Sequence, residues 1–193
     1  MLKNSLLIFL SAAVLVLSSK AVMAEDYAID SKNAHAFIQF KISHLGYSWI
    51  LGRFNRFDGT FSYDEKNPRA SKVKVTVDTA SVDTNNAERD KHLRSEKFFE
   101  VNKYPEAVFV SSAYEPKGKD AGVLKGDFTL HGVTRPMEIK VKHIGAGKDP
   151  WGGFRRGFEG SAKMPLSDYN IKTDLGPASK EVELFFSIEG IKK

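Results

Sequence analysis

The densest group of side chains that could do chemistry lies in residues 83–94, which read DTNNAERDKHLR. Asp90 and His92 could transfer protons, and Arg89 and Arg94 could bind a phosphate, because a planar guanidinium matches the geometry of that group. Two interpretations of this segment remain open. It is either a solvated helix face stabilised by ion pairs, or a charged gate beside an apolar interior.

Metal and nucleophilic chemistry have little support in the sequence. Five histidines are scattered along the chain without the spacing of a zinc or iron site. They are His35, His44, His92, His131 and His143. The chain has no cysteine, which excludes disulfides and thiol chemistry, and no serine lies in a G-x-S-x-G motif. We therefore expect no catalytic residue, no metal site and no cofactor.

Long stretches in which apolar and polar residues alternate flank this segment and predict β-strands. The alternation is clearest over residues 38–42, 72–78, 137–141, 158–164 and 181–189. Further strands are expected around residues 53–63, 106–115 and 122–130. About eight such strands, each with one polar and one apolar face, are typical of an antiparallel barrel or sandwich. The strong helical signal covers residues 86–99, with Asn85 as the expected N-cap and Glu88 completing a capping box.

Residues 1–24 have the features of a secretory signal peptide, and residues 25–193 are expected to form a single domain. Lys3 precedes an apolar run from Leu6 to Leu17 that is too short to span a bilayer, and Ala24 ends the expected cleavage site. We therefore expect a protein exported to the periplasm. Its charges, net +5 over the full chain, are interspersed. That pattern disfavours nucleic acid as a partner and permits transient contact with an anionic membrane surface.

Alternation also predicts which side chains face the interior of a barrel. A barrel of about eight strands either fills its interior or holds one small ligand. The residues expected to line the lumen are Ile38, Phe40, Ile42, Phe61, Val75, Val77, Phe109, Phe128, Ile139, Val141, Phe158, Ala162, Leu184 and Phe186. At the end of an inward-facing strand, His44 is expected near the helix, where Arg89, His92 and Arg94 would meet a ligand's headgroup.

Six motifs spread over residues 27–190 form a specific combination. They are HAFIQFKISHLG at 35–46, GRFNRFDGTFSYD at 52–64, the segment 83–109, GDFTLHGVTRP at 126–136, DPWGG at 149–153 and LSDYNIKTDLGPAS at 166–179. Together they resemble the YceI-like family of periplasmic polyisoprenoid-binding proteins. The resemblance implies a mainly β fold, an extended eight-stranded antiparallel lipocalin-like barrel with one or two short helices. It also implies a long isoprenoid tail along the barrel axis.

The sequence therefore favours a lipid-binding protein, and two alternatives stay open. The expected ligand is an isoprenoid quinone, its precursor or a polyprenyl phosphate, which the protein would transport or sequester. One alternative is an enzyme that modifies an isoprenoid, with acid–base groups among Asp83, Arg89, Asp90 and His92. The other is a filled barrel that acts as a protein-interaction module.

Overall fold

The computed structural model describes residues 24–33 and 35–193. Within these ranges the chain forms eleven strands and one α-helix. The strands are β1 (Glu25–Ile29), β2 (Phe37–His44), β3 (Ser48–Phe54), β4 (Phe57–Tyr63), β5 (Lys72–Asp78), β6 (Val82–Asp83), β7 (Glu106–Pro116), β8 (Ala121–Leu130), β9 (Val133–Lys148), β10 (Phe154–Pro165) and β11 (Glu181–Lys192). The helix is α1 (Ala87–Arg94), and short 3-10 turns cover Pro68–Ala70, Thr79–Ser81, Leu166–Tyr169 and Pro177–Ser179.

All strand pairs are antiparallel, and together they close into a barrel with eight strand positions. β1 and β2 share the first position, since both pair with β11, at Ile29↔Gly190 and Ile38↔Phe186. In the same way, β3 and β4 share the second position, and β5 and β6 share the third. This confirms the predicted eight-stranded antiparallel barrel, with three of its strand positions broken into two pieces.

The two ends of the barrel differ in their connections. One end, called the mouth here, carries α1, the β2–β3 turn and the segment 166–179. The opposite end, called the floor, carries the connections 64–71, 117–120 and 149–153. Among the residues described, no helix is long and apolar enough to cross a bilayer.

The helix at the mouth begins one residue later than the sequence predicts. Asn86, not Asn85, is the N-cap, and its side-chain oxygen accepts a hydrogen bond of 2.9 Å from the Arg89 amide. Asn85 adopts a left-handed conformation (φ 60°) that turns the chain into the helix, a conformation that asparagine tolerates well. The helix also ends at Arg94, because the Ser95–Lys103 segment folds into turns.

Candidate functional site

The barrel encloses an apolar cavity of about 460 Å³ that extends from the aromatic floor to α1 at the mouth. Pockets that bind small molecules typically measure about 300–1,000 Å³. Hydrocarbon groups of the strands form most of the wall, and the polar side chains along it include His44, Arg89 and His92 at the mouth. The interior can therefore accept an apolar chain whose polar end lies at the mouth.

Every residue predicted to line the lumen borders this cavity, with the exception of Ala162. Ala162 does face inward, opposite Leu184 of β11, but it is buried in the packed core cluster together with Met164. The cavity surface on either side of it is formed by Gly160 and Met164 of the same strand. Alternation thus identifies the correct face without showing which side chains reach the open space.

At the mouth, the structure brings His44, Arg89 and His92 together and leaves Arg94 outside the cavity wall. The Arg94 side chain turns back to β6, where its Nη1 atom donates a hydrogen bond of 3.3 Å to the Val82 carbonyl. Arg94 therefore does not lie with the other side chains predicted to meet the headgroup. Its side chain connects the last turn of α1 to β6 in the barrel wall.

A hydrogen-bonded group centred on Thr84 fixes α1 over the mouth. The Asp90 carboxylate is buried and accepts hydrogen bonds from the Thr84 amide (2.9 Å) and hydroxyl (2.5 Å). Arg89 donates from Nε to the Thr84 hydroxyl oxygen and from Nη2 to its carbonyl, both at 2.8 Å. Because these bonds fix the Arg89 side chain, its guanidinium is held at the cavity wall in one orientation.

The carboxylates considered for acid–base catalysis are engaged in structural contacts. Asp90 is bonded to Thr84, as described, and Asp83 accepts hydrogen bonds from Asn85, Asn55 and Arg53. The Asn85 amide, followed by the Asn55 side chain, lowers the pKa of Asp83. The contacts of Asp83 and Asp90 are structural, so these two carboxylates give the enzyme alternative no support.

Sequence reasoning missed two groups of cavity residues. The first group lies outside the strands, in α1, in the turns that follow it and in the segment 166–175. It comprises Leu93, Phe98, Phe99, Leu166, Ile171 and Leu175. The second group lies on strands, where alternation could have found it, and includes Ile29, Val73, Tyr114, Leu124, Met137, Val182 and Ile188.

The floor of the cavity is an aromatic cluster above a buried arginine. The ring of Phe158 lies 5.5 Å from that of Phe61 and 5.4 Å from that of Tyr63. Beneath these rings Arg156 is 3% exposed, and it donates hydrogen bonds to Glu65 (2.6 Å) and to the Tyr27 hydroxyl (3.2 Å). Burial alone would lower the pKa of Arg156, but these two partners raise it, so the guanidinium stays charged beneath the aromatic rings.

One group of potential metal ligands, Asp30, His35 and Glu189, occurs in the described residues. The guanidinium of Arg155 already occupies the space between the carboxylates, since its Nη1 atom donates to Asp30 at 2.6 Å and also bonds Glu189. Asp149 accepts a further hydrogen bond of 2.8 Å from Nε of the same arginine. This group is therefore an ion-pair cluster on the outside of the barrel.

Comparison with known proteins places the chain in a family. The model of the YceI-like domain matches residues 27–190. A UPF0312 protein of Pseudomonas aeruginosa is 57% identical over 193 residues, which is 100% of both chains. The crystal structure of the Campylobacter jejuni YCEI protein, 30% identical, superposes with a TM-score of 0.71 over 79% of this chain and 91% of the other.

A more distant structure shares the fold. It is described as a polyisoprenoid binding domain from Saccharophagus degradans implicated in plant cell wall breakdown. It is 17% identical, with a TM-score of 0.64 over 86% of this chain and 98% of the other. The family match over most of the chain and the full-length relative lead to the same conclusion: the chain belongs to the YceI-like domain family.

Proposed function

We propose that this protein binds a long isoprenoid lipid in the barrel lumen and transports or sequesters it in the periplasm. The observation that carries the proposal is the apolar cavity inside the barrel, whose wall includes polar side chains at the mouth. The description of the Saccharophagus degradans neighbour as a polyisoprenoid binding domain supports the same ligand class. A cavity of this size disfavours the alternative of a filled barrel that acts as a protein-interaction module.

The chemistry of the cavity suits a carrier. Removal of apolar carbon from water gains about 0.8 kcal/mol per methylene group, so a long tail in the lumen is strongly held against release into water. Transfer of the same tail from a bilayer gains little, because it is surrounded by hydrocarbon in both places. Such a protein would exchange lipid with membranes and protect it between them.

The polar end of the ligand would lie at the mouth, beside Arg89, His44 and His92. Arg89 donates to Thr84 from Nε and Nη2, and no hydrogen bond within the described part of the chain uses its Nη1 group. This group can therefore donate to an oxygen of the ligand, as guanidinium groups do to phosphate. An isoprenoid quinone, its precursor and a polyprenyl phosphate all carry such oxygens. These three lipids are therefore the ligands to test first.

The periplasmic location rests on residues 1–24, the proposed signal peptide. Residues 1–23 lie outside the described part of the chain, and β1 begins at Glu25. Cleavage after Ala24 would leave β1 intact. N-terminal sequencing of protein from the periplasmic fraction should give Glu25 as the first residue, and retention of Met1 would contradict the proposed export.

Native mass spectrometry of the protein purified from its own cell envelope tests the proposed function. We expect a bound mass that organic solvent extracts and that tandem mass spectrometry identifies as an isoprenoid. Protein without bound lipid should take up a quinone or a polyprenyl phosphate from mixed micelles. A barrel that is empty when purified and stays empty after that incubation would overturn the proposal.

A further inference from the structure

The β2–β3 hairpin carries an unusual concentration of exposed apolar side chains. Within residues 45–51, Tyr47 is 87% exposed, Leu51 65%, and Leu45 and Trp49 56% each. These are four of the nine large apolar side chains exposed in the described part of the chain. Since isolated exposed apolar residues are normal but clusters mark interaction sites, this hairpin is a candidate docking surface.

The hairpin lies beside a cleft next to the lumen. In β3, Arg53 and Phe54 pair with β6. The backbone of residues 48–52 has no strand partner among the described residues on this edge, which faces α1. The cleft lies between this edge and the start of α1. His44, Ile50 and Arg89 line both the cleft and the main cavity, so the cleft adjoins the lumen at these three side chains.

The aromatic and basic side chains around the hairpin suit an anionic lipid surface. Residues 31–57 contain four Lys and Arg residues and no Asp or Glu, although three of the four cations pair with carboxylates of neighbouring strands. Two of these cations flank the apolar cluster. Lys41 lies 4.3 Å above the Trp49 ring and pairs with Glu183 of β11, and Arg53 pairs with Asp83 of β6. Tyrosine and tryptophan next to lysine and arginine are the combination that anchors proteins at the membrane–water interface.

A second copy of the chain fits this surface less well. A symmetric dimer would bring together two copies that each carry a net positive charge, since the chain has 29 Lys and Arg residues against 24 Asp and Glu residues. Like charges across an interface oppose association. A bilayer with anionic headgroups has the opposite charge and accepts apolar side chains between its lipids.

We propose that the β2–β3 hairpin docks this protein on an anionic lipid bilayer and brings the cleft between β3 and α1 to the membrane surface. A lipid tail would then enter the lumen sideways, past Ile50, without crossing water. The purpose of docking rests on the proposed function, but docking itself needs no lipid in the lumen.

The two tryptophans provide the test, because Trp49 lies in the hairpin and Trp151 lies in the floor connection 149–153. Trp151→Phe leaves Trp49 as the only fluorophore of its kind, and Trp49→Phe leaves Trp151. Vesicles of equal parts phosphatidylglycerol and phosphatidylcholine, free of isoprenoid, are added to each variant. We expect a blue shift of the emission from Trp49 and none from Trp151.

A docking variant makes the test specific. Tyr47→Ser with Leu51→Ser, in the Trp151→Phe background, should bind these vesicles at least about tenfold more weakly, because exposed apolar side chains supply most of the contact. The matched control, Val110→Ser with Ile144→Ser, removes exposed apolar groups elsewhere on the barrel and should bind as before. Higher salt should weaken docking.

Three outcomes would overturn the docking proposal. They are no shift from Trp49, equal shifts from both tryptophans, and a dimer in solution that the Tyr47→Ser and Leu51→Ser changes dissociate. Native mass spectrometry separates this proposal from the proposed function. Bound isoprenoid without vesicle binding rejects docking alone, and vesicle binding by a barrel that takes up no isoprenoid rejects the lipid-carrier function alone.

Discussion

Val141 faces the cavity from β9 between two glycines, Gly122 on β8 and Gly160 on β10. A Cβ atom at Gly122 would lie 2.4 Å from the Tyr114 ring, so glycine is required there by the close approach of that ring. The Tyr114 ring covers Gly122, and the Phe186 ring lies beside Gly160, so Val141 sits among side chains that form the cavity wall. Because Val141 itself borders the cavity, a larger side chain at this position would extend into it.

Val141→Trp should block lipid binding while the barrel remains folded. The indole ring would extend into the cavity, where a packed core would offer no room. Lys140→Trp is the matched control, because Lys140 is exposed on the outer face of the same strand. We expect isoprenoid binding, measured by titration and native mass spectrometry, to fall at least about tenfold for Val141→Trp and to stay unchanged for Lys140→Trp. If both variants bound isoprenoid as tightly as the parent protein does, the lumen would not be the binding site.

Arg89 and Arg94 provide a second matched pair at the residue scale. Arg89 borders the cavity, whereas Arg94 bonds the Val82 carbonyl outside it. Arg89→Gln should weaken binding of a polyprenyl phosphate by about 1.5–3 kcal/mol, the value of a hydrogen bond to a charged group, and should affect a neutral isoprenoid alcohol much less. Arg94→Gln should leave both affinities near the parent values. Equal losses for the two ligands would show that Arg89 serves only to hold α1.

The stability of the barrel should depend on pH through Asp30. Burial alone would raise the pKa of this carboxyl, but hydrogen bonds to His35, Arg155 and Asn33 lower it to about 2. Because the folded pKa is below the unfolded value of about 3.9, the stabilisation is present above about pH 4 and is lost as pH falls towards about 2. It amounts to about 2–3 kcal/mol at neutral pH.

Asp30→Asn isolates this contribution from that of other carboxylates. The difference in urea unfolding free energy between the parent and Asp30→Asn should be constant above about pH 5 and should shrink as pH falls towards about 2. Glu88→Gln is the control, since Glu88 is exposed on α1. A difference that does not change with pH would show that the Asp30 carboxylate gains nothing from its partners.

At the scale of elements, period-2 alternation predicts the strands well and misses where they break. Residues 53–63 read as one strand, but the structure separates β3 from β4 at Asn55 and Arg56. The backbone amides of these two residues bond the Ser81 carbonyl and hydroxyl instead of a neighbouring strand. Such partners lie about 25 residues away in the chain, so no local pattern reveals the break.

The sequence pattern does not predict the first residues of β3, 48–52, for a different reason. Trp49, Ile50 and Leu51 form a continuous apolar run, which does not alternate and gives no indication of its two faces. In the structure Ile50 lines the cavity, whereas Trp49 and Leu51 are exposed. Apolar side chains on both faces are typical of a strand covered on both sides, so the sequence by itself does not reveal that one face of this strand is exposed.

The position of α1 over the mouth depends on Asp90, which gives a prediction at the element scale. Asp90→Ala removes both hydrogen bonds that Thr84 donates to the carboxylate and leaves buried donors without partners. The amide protons of α1 should exchange faster and bound isoprenoid should dissociate faster. Each rate should rise about tenfold if the lost hydrogen bonds stabilise the position of α1 over the mouth by about 1.4 kcal/mol. Glu88→Ala, on the exposed face, should change neither rate. Normal lipid release despite faster amide exchange would show that α1 does not control the mouth.

For the whole molecule, the part of the site carried by strands could be predicted, and the part carried by irregular segments could not. Alternation along a strand is enough to assign Phe40 or Phe186 to the interior, and both side chains do border the cavity. Phe98 and Ile171 follow no such alternation, because their positions depend on how the turns after α1 and the segment 166–175 fold back onto the mouth. The sequence therefore predicts the walls of the cavity better than its upper end.

The balance between lumen and bilayer gives the last prediction, which concerns the whole molecule. An isoprenoid tail leaves one apolar environment for another when it moves between them, so the free energy of transfer should be small. Protein loaded with a quinone should therefore lose most of it to a large excess of isoprenoid-free vesicles, but should retain it on dilution into buffer. Flotation of the vesicles followed by mass spectrometry of both fractions measures this distribution. If the protein kept its lipid against excess vesicles, the lumen would bind the isoprenoid far better than hydrocarbon does, and the protein would act as a sequestering store instead of an exchanging carrier.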